Sequence, residues 1–271
     1  METRITPPSK VSLGFAELWQ YKELFYFFTW RDIKVKYKQT FLGFAWAILQ
    51  PFLLMVIFSV FFGQALKVPS DGIPYPLFAF SGLMLWNVFS SGLSGAGNSM
   101  VSNANIIKKI YFPRLIIPMS AILVAVFDFF MAFLVYIGLV IYYGYGFSLA
   151  SVWLLPLALL LTVIATFGPG CLIAALNVKY RDFRYLLPFT IQVLLFLTPV
   201  IYPMSLVANP WLQKLLAFNP MYAPISIVRK ALIDRPLDMD LIWISVVSGI
   251  VFLLAGIFYF RKTEGYFADL A

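Results

Sequence analysis

The chain has 271 residues, of which 62% are hydrophobic and only 12% charged, with a formal net charge of +8. A soluble domain carries roughly 45–50% apolar and about 25% charged residues, so too little polar surface exists here to cover a water-soluble globule. Intrinsic disorder and a nucleic-acid-binding domain fall with it; the single cysteine, Cys171, excludes a disulfide scaffold, and the lack of histidine excludes an imidazole metal site.

What remains is an all-α integral membrane protein. A bilayer core about 30 Å thick takes roughly 20 apolar residues per helix, and the continuous apolar runs rule against a β-barrel, which needs short alternating segments. Residues 1–40 come first. They are too charged for a cleavable signal and have no short apolar core with a small-residue cleavage site. Leu18, Tyr21, Phe25 and Phe28 recur at helical spacing, with basic residues between aromatic ones. This predicts an amphipathic interfacial helix over 17–38: either a positive-inside anchor, or a docking helix in which Arg31, Lys34, Lys36 and Lys38 meet an anionic headgroup. Residues 33–38 also alternate like a short strand.

Spans are expected at 41–62, 75–94, 115–143, 152–176, 186–202 and 241–260, six in all. The basic stretch 105–114 leads into the third span, which holds the one ionisable residue well inside a span, Asp128. A carboxylate in hydrocarbon marks either a polar contact across the bundle or a functional group. Gly168-Pro169-Gly170 in the fourth span, and Pro188 and Pro199 in the fifth, read as kinks. Between those spans, Asn177, Lys179, Tyr180, Arg181, Asp182, Phe183, Arg184 and Tyr185 form a short loop. A plain connector needs few such residues, and their density suits a surface for another protein. Residues 204–240 are too apolar for a free loop and are broken by Asn219-Pro220. Two short helices follow, dipping partway into the membrane or resting on it.

With the N-terminus inside, 15 of the 20 basic residues fall on one side and 5 on the other, so both termini are expected in the cytoplasm. No glycine is followed by lysine anywhere, so a phosphate-binding G-x-x-x-x-G-K-[ST] loop is absent and any ATP must be bound by another subunit. Without histidine there is no Ser/His/Asp set, and no carboxylate pair suits glycosyl transfer. Neither catalytic nor metal-binding residues are expected. Cys171 reads as a buried filler, and Asp234, Asp238 and Asp240 as a solvated loop. Aromatic residues in the first and fifth spans, among them Phe41, Phe44, Trp46, Phe52, Phe196 and Tyr202, serve either as a stacking path for sugars or as lipid-facing filler and interface belts.

Taken in order, these pieces resemble an ABC-2-type permease of the polysaccharide export family. The likeness rests on Trp30-Arg31-Asp32-Ile33-Lys34-Val35-Lys36-Tyr37-Lys38-Gln39-Thr40-Phe41-Leu42-Gly43 with Trp46 and Pro51, and on Asn105-Ile106-Ile107-Lys108-Lys109 with Phe112-Pro113-Arg114 and Pro118. It continues in Asn177-Val178-Lys179-Tyr180-Arg181-Asp182, in Thr198-Pro199-Val200-Ile201-Tyr202-Pro203, and in Asn219-Pro220 with Arg229. The resemblance implies one permease domain over 1–271, with an N-terminal region 1–40, a membrane region 41–260 and a tail 261–271. It implies a gate helix carrying Asn105, Lys108, Lys109, Phe112, Pro113 and Arg114, a coupling helix over 177–185, and re-entrant helices before the last span. The first and fifth spans would line a channel, with Tyr37, Phe44, Phe52, Phe196 and Tyr202 as lining aromatics. The implied partners are a second copy, two cytoplasmic ATPase subunits that bind ATP and Mg, membrane lipid and a polyprenyl-diphosphate-linked glycan of O-antigen type. The expected location is the cytoplasmic (inner) membrane. Export of a small lipid or drug by the same fold is the alternative; a proton-coupled carrier, argued only by Asp128, and a membrane glycosyltransferase are the other classes.

Overall fold

The computed structural model describes residues 15–38, 43–147, 149–180, 182–232 and 237–267, without the side chains of 15–17 and 266. Arg181 of the expected coupling segment, Phe41 at the start of the first span, and Arg4, Lys10, Asp234 and Arg235 of the charge count lie outside the described residues.

Every regular element among the described residues is helical, with no strand. The order is α1 (Phe15–Gln20), α2 (Lys22–Lys38), α3 (Ala45–Ala65, winding more widely as a π-helix from Ser59), α4 (Tyr75–Ser102), α5 (Ala104–Ile107), α6 (Ile116–Tyr142), α7 (Ser151–Lys179), α8 (Phe183–Leu197), α9 (Pro210–Ala217), α10 (Tyr222–Lys230) and α11 (Met239–Thr263). Five of these, α3, α4, α6, α7 and α11, are long and apolar enough to cross a membrane. The chain is therefore a multi-pass membrane protein.

The fifth expected span is the outlier. α8 has 15 residues and stops at Leu197, not Tyr202. Thr198 precedes Pro199, whose ring drives the preceding residue out of the α region; Thr198 is extended, at φ −90° and ψ 136°. Residues 33–38 differ as well: the alternation read as strand-like belongs to a helix that runs to Lys38. α4 outruns its expected end by a full two turns, because Ala96, Gly97, Ser99 and Met100 are buried and hold its last stretch in the bundle.

α4 is the hub. Its apolar window is 78% buried, whereas that of α3 is 17% buried. It packs on α6 and α7, and α7 packs in turn on α11. The α7–α11 contact is made by glycine: a Cβ built on Gly256 would overlap the Gly168 carbonyl, and one on Gly168 would overlap the backbone at Phe252 and Leu253. Small residues of this kind let membrane helices approach backbone to backbone, where dispersion rather than the hydrophobic effect holds them. Gly168-Pro169-Gly170 thus serves close packing, and α7 continues as one helix through Pro156 and Pro169. Cys171 is fully buried, as expected of a filler.

With Gly168 on Gly256, and Cys171 and Ala174 beyond it in one buried cluster with Phe260, α7 and α11 run side by side in the same direction. We call the end with Lys108, Arg114, Lys179, Arg184 and Lys262 the basic end. α8 starts there, with Leu187 against Gly97, and Val200 beyond it lies against Gly82, nearer the start of α4. At the opposite end α9 and α10 are the two short helices expected around Asn219-Pro220. Pro220 lies against Gly249, about 15 Å along α11 from Met239 at 1.5 Å per residue. The C-terminal end of α10 rises again to the start of α7, where the Ser151 hydroxyl donates to the Ala231 carbonyl at 2.8 Å.

Candidate functional site

Two polar centres and one exposed connector carry the sequence-predicted residues. The first centre lies where α2 docks on α6. Phe28, Ile33 and Tyr37 are the buried residues of α2, Phe28 in one apolar cluster and Ile33 and Tyr37, on the other side of the helix, in a second. Phe28 meets Phe112 with ring centres 5.6 Å apart, and Tyr37 meets Phe44 at 4.4 Å and Phe127 at 6.3 Å. The predicted apolar face holds: Leu18, Tyr21 and Phe25 pack around Phe28, Phe260 and Phe267. α2 therefore climbs beside α6, its last turn level with Asp128.

Asp128 is 2% exposed and accepts hydrogen bonds from both Lys36 Nζ and Tyr37 Oη, one on each carboxylate oxygen. The Tyr37 phenol is the donor in its bond to Asp128. A carboxylate held by an ammonium and a phenol is a polar contact across the bundle. Tyr37, expected among the lining aromatics, is turned into this seam. Of the others, Phe44, Phe52 and Phe196 are exposed, and Tyr202 is half-buried.

The four headgroup candidates of α2 divide. Arg31 pairs with Asp32 at 2.7 Å, donates to Asn103 Oδ1 at 2.8 Å, and lies over the Phe28 ring. Lys36 is held by Asp128. Lys34 lies 5.3 Å from the Trp30 ring, and Lys34 and Lys38 line a concavity of about 360 Å³ with Phe27, Trp30, Arg31 and Val35. Next to it, sharing Arg31 and Val35, a cleft of about 690 Å³ opens between α2, α4, α5 and α6, lined by Lys36, Ser91, Gly95, Ser99, Asn103 and Asn105 among others.

The expected gate helix is short. Only Ala104–Ile107 is helical; Lys108 and Lys109 turn, and residues 110–113, with Phe112 buried, have no regular secondary structure. Pro113 and Pro118 limit how far back the following helix can begin. Arg114 lies over the Phe267 ring.

The second centre joins two motifs that are far apart in sequence. Arg229 Nη1 and Nη2 donate to the Pro199 and Val200 carbonyls at 2.8 and 2.7 Å, and its guanidinium sits 3.5 Å from the centre of the Phe78 ring. Asn219 Nδ2 donates to Thr198 Oγ1 at 2.6 Å, and Ser245 Oγ donates to the Asn219 carbonyl at 2.9 Å. The carbonyls freed where α8 breaks at Pro199 are thus taken up by α10. Arg229 suits that task because its planar fork reaches two acceptors at once.

The connector at the basic end is a turn rather than a separate helix. Asn177 is buried, donating to the Gly97 carbonyl at 2.7 Å; Lys179 closes α7; Tyr180 and Asp182 form the turn; Phe183, Arg184 and Tyr185 begin α8. Tyr180 and Tyr185 are exposed, Tyr185 to 82%. No side chain caps α8, so the polar groups of Asp182 and Arg184 face outward.

Sequence reasoning missed Asn103, the small polar side of α4, Ser245 and the Gly168–Gly256 contact. The spacing of Ser91, Gly95 and Ser99 at four residues was a readable signal; the other contacts join helices and leave no local trace.

The chain matches the ABC-2 type transporter family over residues 23–233. It is 30% identical over 240 residues to the O-antigen export system permease protein RfbA of Klebsiella pneumoniae, which covers 89% of this chain and 92% of that protein. The RfbA of Myxococcus xanthus is 27% identical over 259 residues, covering 93% and 97%. The polysialic acid transport protein KpsM of Escherichia coli is 23% identical over 240 residues, covering 86% and 91%. The family match runs from the second residue of α2 through the docked seam, the basic-end connector and the Arg229 centre: the chain belongs to the ABC-2 type transporters.

Proposed function

We propose that this chain is the membrane permease subunit of an ATP-driven exporter that carries a lipid-linked polysaccharide of O-antigen type across the cytoplasmic membrane. The observation that carries this is the near full-length likeness to permeases named for O-antigen export, joined to a chain without a nucleotide-binding loop of its own. The same names weigh against a small lipid or drug as cargo.

The whole chain acts as one permease domain with both termini cytoplasmic and the basic end inside. α8 with residues 198–203 makes a sixth crossing; the contacts Leu187–Gly97 and Val200–Gly82, spread along α4, support it. The descent of the chain to Pro220 and its return to Ala231 support a re-entrant pair formed by α9 and α10. Two copies face each other through the exposed sides of α3 and α8, where Phe44, Phe52 and Phe196 give the glycan rings to slide over. Lys34 and Lys38 beside Trp30 and Phe27 receive the diphosphate, each basic residue adding about 1 kcal/mol of attraction near a headgroup surface. Two ATPase subunits bind ATP and Mg and seat on residues 179–185, and their closure on ATP moves α7 and α8 together.

Deletion of the gene tests this reading. Surface polysaccharide should disappear while intracellular lipid-linked glycan accumulates; a strain with both pools at wild-type level ends the proposal.

A further inference from the structure

The cleft between α2, α4, α5 and α6 sets serine, asparagine and charged side chains among apolar ones, at a level where hydrocarbon would be expected. Its floor is the side of α4 that carries Ser91, Gly95 and Ser99, and its wall is Ala121, Val124 and Ala125 of α6. Lys36 stands in it with 40% of its side chain exposed, level with Asp128 near the middle of α6. Its ammonium is paired with Asp128, and the part of the side chain left open faces the cleft, where a charged stem is best placed beside water or a polar ligand.

The charge pattern narrows the ligand. Arg31 is neutralised by Asp32 and Lys36 by Asp128, so the cleft is rich in hydroxyl and amide groups and close to neutral. The neighbouring concavity, which shares Arg31 and Val35 but adds Lys34 and Lys38 and has no acid among its described lining residues, is the cationic one. An anion therefore prefers that side, and an uncharged polyhydroxyl compound the cleft. The cleft's described lining contains no aromatic ring, so a sugar here is held through exchangeable hydrogen bonds rather than by stacking, which suits a chain that must keep moving. Gly95 and Ala121 make the room: a Cβ on Gly95 would meet Ala121 Cβ at 3.4 Å, in ordinary contact, and anything longer would fill the cleft.

Resting on the export reading above, we infer that each protomer binds uncharged sugar units of the glycan in this cleft, beside α2 and apart from the site on α2 that takes the diphosphate.

The test uses the full chain with its partner ATPase, in a Cys171→Ser background. Ser91→Cys is labelled with a membrane-impermeant thiol reagent in inside-out vesicles. The vesicles come from cells that elongate the glycan and from cells blocked after its first sugar. Tyr26→Cys, on α2 outside both concavities, is the control. Labelling at position 91 should be at least threefold slower where the glycan is elongated, with position 26 unchanged. Equal rates in the two strains overturn the inference. So does no labelling in either, which would mean that a second copy or lipid covers the cleft. As a second arm, Gly95→Leu should lower export at least tenfold with the ATPase still copurifying. Gly138→Leu, on an open side of α6 where a new Cβ meets nothing within 4 Å, should leave export unchanged. If Gly95→Leu fails to insert, the labelling arm still decides. A gene deletion that spares surface polysaccharide would sink the export reading itself, so the two failures are distinguishable.

Discussion

Asp128 shows how one contact changes the meaning of a residue. An acid alone in a span suggests proton movement, whereas an acid bonded on both oxygens by Lys36 and Tyr37 is an anchor for the helix that carries them. Asp128→Asn leaves Lys36 without its counter-charge. For a hydrogen bond to a charged group the loss is about 1.5–3 kcal/mol, and toward the lower end here because Lys36 is 40% exposed. The purified protein should therefore unfold at a lower temperature. The double exchange Lys36→Asp with Asp128→Lys should recover at least half the difference, because the pair is re-formed in reverse. A double exchange no better than Asp128→Asn would mean that the pair does not hold α2. Arg229 makes the same point from the other side: the sequence marks a basic residue among apolar ones, and the fold supplies two carbonyls and the face of Phe78.

At the scale of elements, helix contacts decide what the proline and glycine pattern means. Pro199 ends α8 because its ring acts on Thr198, while Pro156 and Pro169 sit inside an unbroken α7. Glycine at 168 and 256 sets how closely α7 and α11 approach. Gly256→Ala should cost about 1–3 kcal/mol by overpacking, since the new methyl group has only backbone to push against. Gly138→Ala adds the same methyl group to open space and should leave the unfolding temperature within error. Equal behaviour of the two variants in thermal unfolding would contradict the close crossing. Five of the six expected spans were legible because transfer from water to hydrocarbon depends on composition over some twenty residues, which a long apolar run reveals. The crossing was not, because a glycine's use depends on which backbone faces it.

At the scale of the whole molecule, the proposed ATPase contact predicts that work enters the bundle through its basic end. α7 ends at Lys179 and α8 begins at Phe183, with Tyr180 partly and Tyr185 largely exposed beside them. Aromatic anchors at the centre of an interface commonly account for 2 kcal/mol or more each, about thirtyfold in affinity. Tyr185→Ala should reduce copurification of the ATPase about thirtyfold while membrane insertion and the unfolding temperature stay unchanged, because Tyr185 gives up almost no intramolecular contact. Undiminished copurification would remove that connector from the interface. The sequence by itself determined the membrane class, the approximate spans, the uneven spread of positive charge and the want of a nucleotide-binding loop, since each follows from residue type and local order alone. Only the tertiary structure decided that α2 rises along α6 to hold Asp128, that Arg229 closes the break at Pro199, and that a cleft lined in part by serine and asparagine remains beside α4. Those depend on residues tens of positions apart meeting in space, where desolvation makes an unpaired charge or carbonyl costly and so leaves few acceptable partners.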